Sequence, residues 1–370
     1  MRMGKKVYLH IGAHKSASTT IQANARASRK ILESEYGISS LLPEDISGTE
    51  FAKHFQGITG RERVFGVEEY QASLRSAKLC ITKMIENCTT DDVFISWEGV
   101  LGHCSLDLYG GIYTHSKVVA ESLGAIFQDY PTKVIMLIRR QDTFIESCYL
   151  QQIKAGRFLS FDEFTSGIDV AKIFWGDIAS DLAEVFGDSL LIIPFEVIKD
   201  LGAHHFIEST LSYLTDRPIK LDKAKITERA NESMSSYGVE IARELFPHVS
   251  DANRVILRKI IFTEFGGSKF GKAIYFNDFS RRLISDVAKS DNANIYQNYL
   301  VNFISFSGLD ADRQKNIWLS PESADLKGEG NEYIAPEVQH KQVGPREDER
   351  SKGLLHMANW SFWRRKKHDC

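Results

Sequence analysis

Residues 7–20, VYLHIGAHKSASTT, join an apolar run to a stretch of small and polar residues. The apolar run over residues 7–11 stands between two lysines and a glycine, which is typical of a short buried strand. Over residues 19–35 the apolar side chains recur at helical spacing, and Gly37 is placed to end that helix. This part of the chain therefore predicts a strand, a loop of small residues and a helix.

Strands and helices are predicted to alternate along the rest of the chain. Further buried strands are indicated by apolar runs at residues 93–97, 133–138 and 190–195. Helical spacing occurs over residues 68–86, 118–128, 142–153 with Asp142 as the N-cap, 178–186, 204–214, 234–246 and 279–289. Residues 38–66 show no sustained period, and we expect a loop there with at most a short helix. The alternation predicts an α/β fold with a parallel sheet.

The charge balance excludes one class of function. The 370 residues include 46 basic and 49 acidic side chains, which gives a formal net charge of −3. No global basic field is available to bind nucleic acid through counterion release. With 43% hydrophobic residues the chain can bury a sizeable core. We expect a globular protein with no nucleic-acid partner.

The cysteines and the short length of the apolar runs indicate the cellular compartment of the protein. Five widely spaced cysteines without a C-x-x-C pair are typical neither of a disulfide framework nor of a zinc site, so we interpret them as free thiols. The first residues lack a small-residue cleavage site, and no run of about 18 apolar residues occurs. These features predict a soluble cytoplasmic protein.

The composition changes toward the carboxyl end. We expect one domain over residues 1–310 and a polar extension over residues 311–370, because residues 320–352 are rich in proline, glycine and charge. Residues 360–367, WSFWRRKK, suit peripheral contact with the anionic inner face of a membrane. A basic solubilising tail or a partner-docking segment is the alternative interpretation.

The loop after the first predicted strand suits an anion. Backbone N–H groups at a strand-to-helix turn and the positive end of the helix attract phosphate or sulfate. Lys15 adds a full charge, and hydroxyl groups come from Ser16, Ser18, Thr19 and Thr20. A serine-rich turn that only caps the helix is the alternative. The loop is not a Walker A motif, because His14 stands where that motif needs a glycine before the lysine.

Residues 15–19, KSAST, resemble the amino-terminal loop of sulfotransferases that use 3′-phosphoadenosine 5′-phosphosulfate (PAPS), which reads roughly K-[ST]-G-[ST]-T. The resemblance implies that this loop binds the 5′-phosphosulfate. It also implies an arginine at the end of a buried strand and a serine eight residues later, together binding the 3′-phosphate; Arg139 and Ser147 have this spacing. Arg140 is the competing candidate, and a solvated, salt-bridged arginine pair is the alternative without a ligand.

The resemblance extends more weakly to residue 240, through residues 191–196, LIIPFE, and residues 229–233, RANES. Ala17 replaces the usual glycine, so we expect a backbone path open to a residue with a Cβ atom. Thr20 stands where cytosolic small-molecule sulfotransferases often have a tryptophan against adenine, which favours the bacterial carbohydrate branch. The fold implied is a three-layer, P-loop-like parallel sheet flanked by helices.

Sulfuryl transfer requires charge neutralisation and a base. We expect Lys15 to stabilise the leaving phosphate and the sulfuryl group. Glu98 follows the strand over residues 93–97 and resembles a glutamate of related bacterial sulfotransferases, although Trp97 is inserted before it. His103 and His14 are the alternative bases, and an ordinary surface role is the alternative for each. No metal is expected, since no metal-spaced cluster of ligands is evident in the sequence.

The acceptor is expected to contact the loop that follows. His14, Tyr109, Tyr113 and His115 are candidate substrate-binding residues, because aromatic rings pack on sugar C–H groups; a plain surface loop is the alternative. The sequence thus predicts sulfuryl transfer from PAPS to a carbohydrate hydroxyl of a polysaccharide, lipopolysaccharide or glycolipid. An ATP-dependent kinase with a variant loop and a non-catalytic nucleotide-binding protein are the alternative functions.

Overall fold

A five-strand parallel sheet forms the centre of the protein, for which a computed structural model describes residues 4–60, 65–222 and 233–319. The strands are β1 (Lys6–His10), β2 (Ile38–Leu41), β3 (Asp92–Ser96), β4 (Thr132–Ile138) and β5 (Leu190–Pro194), in the order β2-β3-β1-β4-β5. All neighbouring strands pair in parallel. The expected α/β class with a parallel sheet and flanking helices is confirmed.

The helices of the described residues connect and cover these strands. They are α1 (Ser18–Ala27), α2 (Arg29–Tyr36), α3 (Pro43–Ile46), α4 (Glu50–Thr59), α5 (Val67–Glu86), α6 (Leu106–Tyr109), α7 (Ser116–Phe127), α8 (Gln141–Lys154), α9 (Phe161–Ser166), α10 (Trp175–Phe186), α11 (Ile198–Thr215), α12 (Ser236–Leu245), α13 (Asp251–Glu264), α14 (Gly267–Phe270), α15 (Asp278–Ile295), α16 (Val301–Phe306) and α17 (Ala311–Leu319).

The central strands are covered on both faces. Successive residues of β1 point to opposite sides, yet all of residues 7–10 are buried, and so are residues 134–138 of β4. Apolar runs without alternation are typical of parallel strands between two helical layers. This is why the run KVIMLI predicts a strand so well.

The strand order creates a crevice beside β1. From β1 the chain goes to β2 and returns to β3 on the same side, whereas from β4 it continues to β5 at the other edge. β1 and β4 are neighbours, with Leu9 opposite Val134, and the connections after them diverge. Ligands of open parallel sheets bind outside the carboxyl ends of such strands. The loop after β1 and the residues after β4 therefore meet at the expected place for a ligand.

The prediction of a loop over residues 38–66 is wrong, because β2, α3 and α4 lie there. Two serines in β2, ISSL, interrupt the apolar pattern, and its pairing with β3 holds it in the sheet. α4 buries Phe51 and Phe55 against the core.

Two helix boundaries also differ from prediction. The helix expected over residues 19–35 is two helices, α1 and α2, which meet at Ser28. Asp142 is not the N-cap of α8; Arg140 holds that position, and Asp142 lies in the first turn, where it pairs with the Arg140 side chain.

The last described helix, α17, lies beyond the domain boundary expected at residue 310. Its Trp318 is buried, and the indole Nε1 donates a hydrogen bond of 3.1 Å to the carbonyl oxygen of Asn292 in α15. The rest of the expected extension, including residues 360–367, lies outside the described residues. Across the described ranges, no helix combines the length and apolarity needed to cross a bilayer.

Candidate functional site

A cavity of about 1020 Å³ opens at the carboxyl ends of β1 and β4. Segments far apart in the sequence form its wall, from the loop after β1 to residue 272. Ten of the candidate residues singled out from the sequence line this cavity: His14, Lys15, Ala17, Ser18, Thr19, Thr20, Glu98, Arg139, Arg140 and Ser147. Ser16 belongs to the same loop but is fully buried beneath it.

The loop before α1 has an unusual backbone. Lys15 and Ala17 have φ values of 63° and 68°, in the left-handed region. Ala17 is the N-cap of α1, and its carbonyl oxygen accepts hydrogen bonds from the backbone N–H groups of Thr20 and Ile21. The expectation of a path comfortable for a Cβ atom is therefore wrong: this chain keeps an alanine in a conformation that glycine adopts more easily.

Ala17→Gly should raise the free energy of unfolding by about 1 kcal/mol, because it relieves the left-handed strain. Gly37→Ala is the matched control, since Gly37 ends α2 at φ 65° with open space around it. This substitution should lower the free energy of unfolding by a similar amount, because it places a Cβ atom in the left-handed region. Urea unfolding of both variants measures the two changes. A loss of stability in Ala17→Gly would contradict the strain argument.

Close packing beneath the loop requires Gly12. A Cβ atom at this residue would lie 2.5 Å from Ser18 Oγ and 2.6 Å from His10 Nε2. His10 is fully buried in β1, and its Nδ1 is 2.7 Å from Ser96 Oγ. Burial lowers the pKa of His10 to about 4, although the nearby Glu98 carboxylate acts in the opposite direction. The imidazole under the loop is therefore neutral at physiological pH.

The two arginines after β4 have different partners. Arg139 donates from Nε to Thr143 Oγ1 (3.0 Å) and from Nη1 to the carbonyl oxygen of Lys15 (3.2 Å), and its guanidinium lies 4.7 Å from the centre of the Phe195 ring. Arg140 is buried and binds both carboxylate oxygens of Asp142, at 2.9 and 2.7 Å. Both touch the cavity, but Arg140 is neutralised by Asp142. The geometry favours Arg139 as the residue that faces a ligand.

One face of α8 forms a wall of the cavity. Thr143, Ser147, Gln151 and Lys154 all line it and follow one another at helical spacing. Lys15 Nζ donates to Gln151 Oε1 at 3.4 Å, which connects this face to the loop. Gln151 and Lys154 were missed in the sequence, although their spacing from Ser147 is a signal that could have found them.

Glu98 reaches the cavity in spite of the inserted tryptophan. Trp97 is buried in the core, where its ring packs near Phe51 with the centres 6.0 Å apart. Glu98 starts the following 3₁₀ turn and accepts a hydrogen bond from Gln22 Nε2 on α1. The carboxylate therefore lies between α1 and β3, beside the loop that joins β1 to α1.

The structure does not place the other expected base, His103, or the aromatic loop residues on the cavity wall. His103 is exposed and stacks on Tyr109 with ring centres 6.1 Å apart, and His115 meets the edge of the same tyrosine. The residue after His103, Cys104, lines the cavity, so the chain stays beside the cavity while the His103 ring stacks on Tyr109. Their proposed contact with an acceptor has no support from this arrangement.

Tyr113 supports the loop from behind. It is buried, and its hydroxyl oxygen accepts a hydrogen bond from the backbone N–H of His14 at 2.8 Å and lies 3.1 Å from His14 Nδ1. Burial raises the pKa of the Tyr113 phenol and lowers the pKa of His14 to about 4. A neutral His14 suits a positioning role in the loop better than service as a charged group.

The residues after β5 complete the wall near Arg139. Phe195 provides the ring beneath the Arg139 guanidinium, and Glu196 Oε1 accepts a hydrogen bond of 2.9 Å from the backbone N–H of Arg140. Burial raises the pKa of Glu196. The segment 229–233 lies outside the described residues except for Ser233, which lines the cavity.

The charge of the cavity is positive. Among the described residues of its wall, cations outnumber carboxylates: Lys15, Arg139, Arg140, Lys154, Lys199 and Lys272 against Glu98 and Glu196. Since like charges gathered around a cavity repel one another, their arrangement favours an anionic ligand with several charges.

One cluster of metal-type ligands lies elsewhere on α11. Ligand atoms of His204, His205 and Glu208 lie within 4.8 Å of one another. Glu208 already accepts hydrogen bonds from the backbone N–H of Leu221 (2.7 Å) and from Lys220 Nζ (3.3 Å). These contacts give the cluster a structural role in holding the segment after α11.

A scan against protein-family models and a search of curated proteins found no match to this chain.

Proposed function

We propose that this protein is a PAPS-dependent sulfotransferase that acts on a carbohydrate hydroxyl, with a sulfotransferase variety of the P-loop-like fold. One observation supports this most: a single cavity joins the Lys15 loop to Arg139 and Ser147 at the point where the strand order diverges. Two separate phosphate-binding elements on one cavity suit a ligand with anionic groups at two positions, as in PAPS.

In this proposal, different parts of the cavity bind the two phosphate groups of PAPS. The loop after β1 and the first turn of α1 bind the 5′-phosphosulfate through backbone N–H groups, hydroxyls and the Lys15 ammonium. Arg139 and Ser147 bind the 3′-phosphate, for which the planar guanidinium fork is well shaped. The Phe195 ring and Thr143 hold that guanidinium in place.

The chemical step needs no group other than these residues and the two substrates. The acceptor oxygen forms a bond to sulfur as the bond from sulfur to the bridging phosphate oxygen breaks, and adenosine 3′,5′-bisphosphate leaves with that electron pair. Glu98 takes the hydroxyl proton, and Lys15 balances the charge that develops on the bridging oxygen. Gln22 orients the Glu98 carboxylate through the hydrogen bond to Oε2.

Calorimetry with adenosine 3′,5′-bisphosphate, ADP and ATP tests the proposal. We expect the wild type to bind the bisphosphate with micromolar affinity without Mg²⁺. Lys15→Ala and Arg139→Ala should each lower that affinity by about tenfold to a hundredfold, the effect of removing one charged hydrogen bond. Lys53→Ala and Arg26→Ala, at exposed ion pairs, are matched controls and should bind like the wild type. Preference for ATP with Mg²⁺ would overturn the proposal in favour of a kinase.

A further inference from the structure

Helix α8 gives a length scale along the cavity. It rises about 1.5 Å per residue, so Ser147 and Lys154 are separated by about 10 Å along its axis. Lys15 contacts Gln151, between these two positions. If Ser147 faces the 3′-phosphate and Lys15 faces the phosphosulfate, Lys154 lies past the sulfuryl group. An in-line acceptor must approach from that side, because it attacks opposite the leaving phosphate.

Among the described residues, an aromatic ring and other cations surround the Lys154 ammonium. Its Nζ lies 4.8 Å from the centre of the Phe262 ring, and within residues 4–60, 65–222 and 233–319 no carboxylate pairs with it. Burial lowers the pKa of Lys154, and the nearby cations Lys15 and Arg258 lower it further. A half-buried ammonium beside other cations is unfavourable unless an anion joins them.

The position of Lys154 is not explained by the end of its helix. It is the last residue of α8, where a cation can stabilise the terminal carbonyl groups. The Lys154 carbonyl oxygen, however, accepts a hydrogen bond of 3.1 Å from Arg258 Nη1. The Lys154 side chain extends to the cavity wall, together with Phe262 and Lys272.

We propose that Lys154, with the Phe262 ring beneath it, binds a negatively charged substituent of the acceptor, so that the acceptor is an acidic glycan. The inference rests on the proposed function, because it takes Lys15 as the position of the sulfuryl group. The negatively charged substituent is a carboxylate of a uronic acid, or a sulfate or phosphate ester, on the sugar next to the reacting hydroxyl. The ring supplies a face for sugar C–H groups as well as for the ammonium.

The experiment uses the full chain saturated with adenosine 3′,5′-bisphosphate. Three probes are compared by calorimetry: a hexasaccharide of alternating glucuronic acid and N-acetylglucosamine, its carboxyl-reduced form, and the reduced form after O-sulfation. We expect at least one charged hexasaccharide to bind roughly tenfold to a hundredfold more tightly than the neutral one. The two charged arms distinguish a carboxylate from a sulfate ester.

Lys154→Met should abolish that preference, because it removes the ammonium that lies over the Phe262 ring and keeps a side chain of similar length. Its affinity for the bisphosphate should change less than twofold, and Lys117→Met, at an exposed residue of α7, should match the wild type in every arm. Equal binding of charged and neutral hexasaccharides, or no binding of any, would overturn the inference. So would a loss of bisphosphate affinity in Lys154→Met as large as that in Lys15→Ala. If the wild type fails to bind the bisphosphate, the proposed function itself is wrong.

Discussion

Lys15→Met should lower the turnover of sulfuryl transfer by about a thousandfold, the effect of removing a preorganised charge from a developing oxyanion. The Lys15 ammonium donates a hydrogen bond to Gln151. The backbone of Lys15 lies in the left-handed region, at the turn into α1. The methionine side chain keeps the length and most of the packing but removes the charge. The rate should therefore fall far more than the stability of the fold.

The release of adenosine 3′,5′-bisphosphate from PAPS in the presence of an acceptor glycan measures this effect. Lys53→Met is the matched control, since Lys53 is an exposed residue of α4 that pairs with Glu50. Its turnover should equal that of the wild type. A Lys15→Met enzyme that keeps more than about a tenth of the wild-type turnover would contradict the role given to Lys15.

Arg281→Met should lower the free energy of unfolding by about 3–5 kcal/mol at pH 7, because it removes a guanidinium that pairs with the buried Glu146 carboxylate and, together with Arg140, with the buried Asp142 carboxylate. Arg281 Nη1 donates to Asp142 Oδ2 at 2.6 Å, and Nη2 donates to both oxygens of Glu146 at 2.9 and 2.8 Å. The two carboxylate side chains are only 4% and 2% exposed. This network fixes the start of α8, the helix that presents Ser147 and Lys154 to the cavity.

The effect should depend on pH in a defined direction. Burial opposes the charge of Asp142, but Arg140 and Arg281 outweigh it and hold the Asp142 pKa below its ordinary value. A depressed pKa contributes stability above the unfolded pKa, which is ~4 for aspartate, and that stability is lost as pH falls through the folded pKa. The difference between wild type and Arg281→Met should therefore shrink below about pH 4.

Urea unfolding at pH 7 and at pH 3 measures both parts of this prediction. Arg282→Met is the control, because Arg282 is the exposed neighbour of Arg281 on α15. Arg282→Met should lower the free energy of unfolding by less than about 1 kcal/mol at either pH. A loss in Arg281→Met no larger than the loss in this control would show that the buried carboxylates find other partners.

The sequence predicts the parts of the fold that depend on local pattern. β4 is predictable because every residue from Val134 to Ile138 is buried and apolar. β2 is not, since its Ser39 is held by Thr90, whose Oγ1 accepts from the Ser39 backbone N–H at 2.8 Å. This contact joins residues 51 positions apart, and a window of adjacent residues contains no sign of it.

The same distinction holds for the site. The loop after β1 and Arg139 follow the ends of predicted strands, and Ser147 lies on the helix after Arg139, so their meeting on one cavity follows from the topology of a parallel sheet. Phe262 and Lys272 reach the cavity only because α13 and the segment after α14 pack beside α8. The sequence predicts His103 near the site from its distance to a strand end, but its ring stacks on Tyr109 and is not among the described residues of the cavity wall.

Arg139 and Arg140 also bear on how this protein can change over evolutionary time. One peptide bond separates an arginine that faces the cavity from an arginine that is ion-paired inside the fold. Under the proposed function, a single nucleotide change at codon 139 would remove the arginine that binds the 3′-phosphate and leave the buried ion pair intact, whereas a change at codon 140 would break that pair. Loss or replacement of the ligand is thus open to this lineage without rebuilding its scaffold.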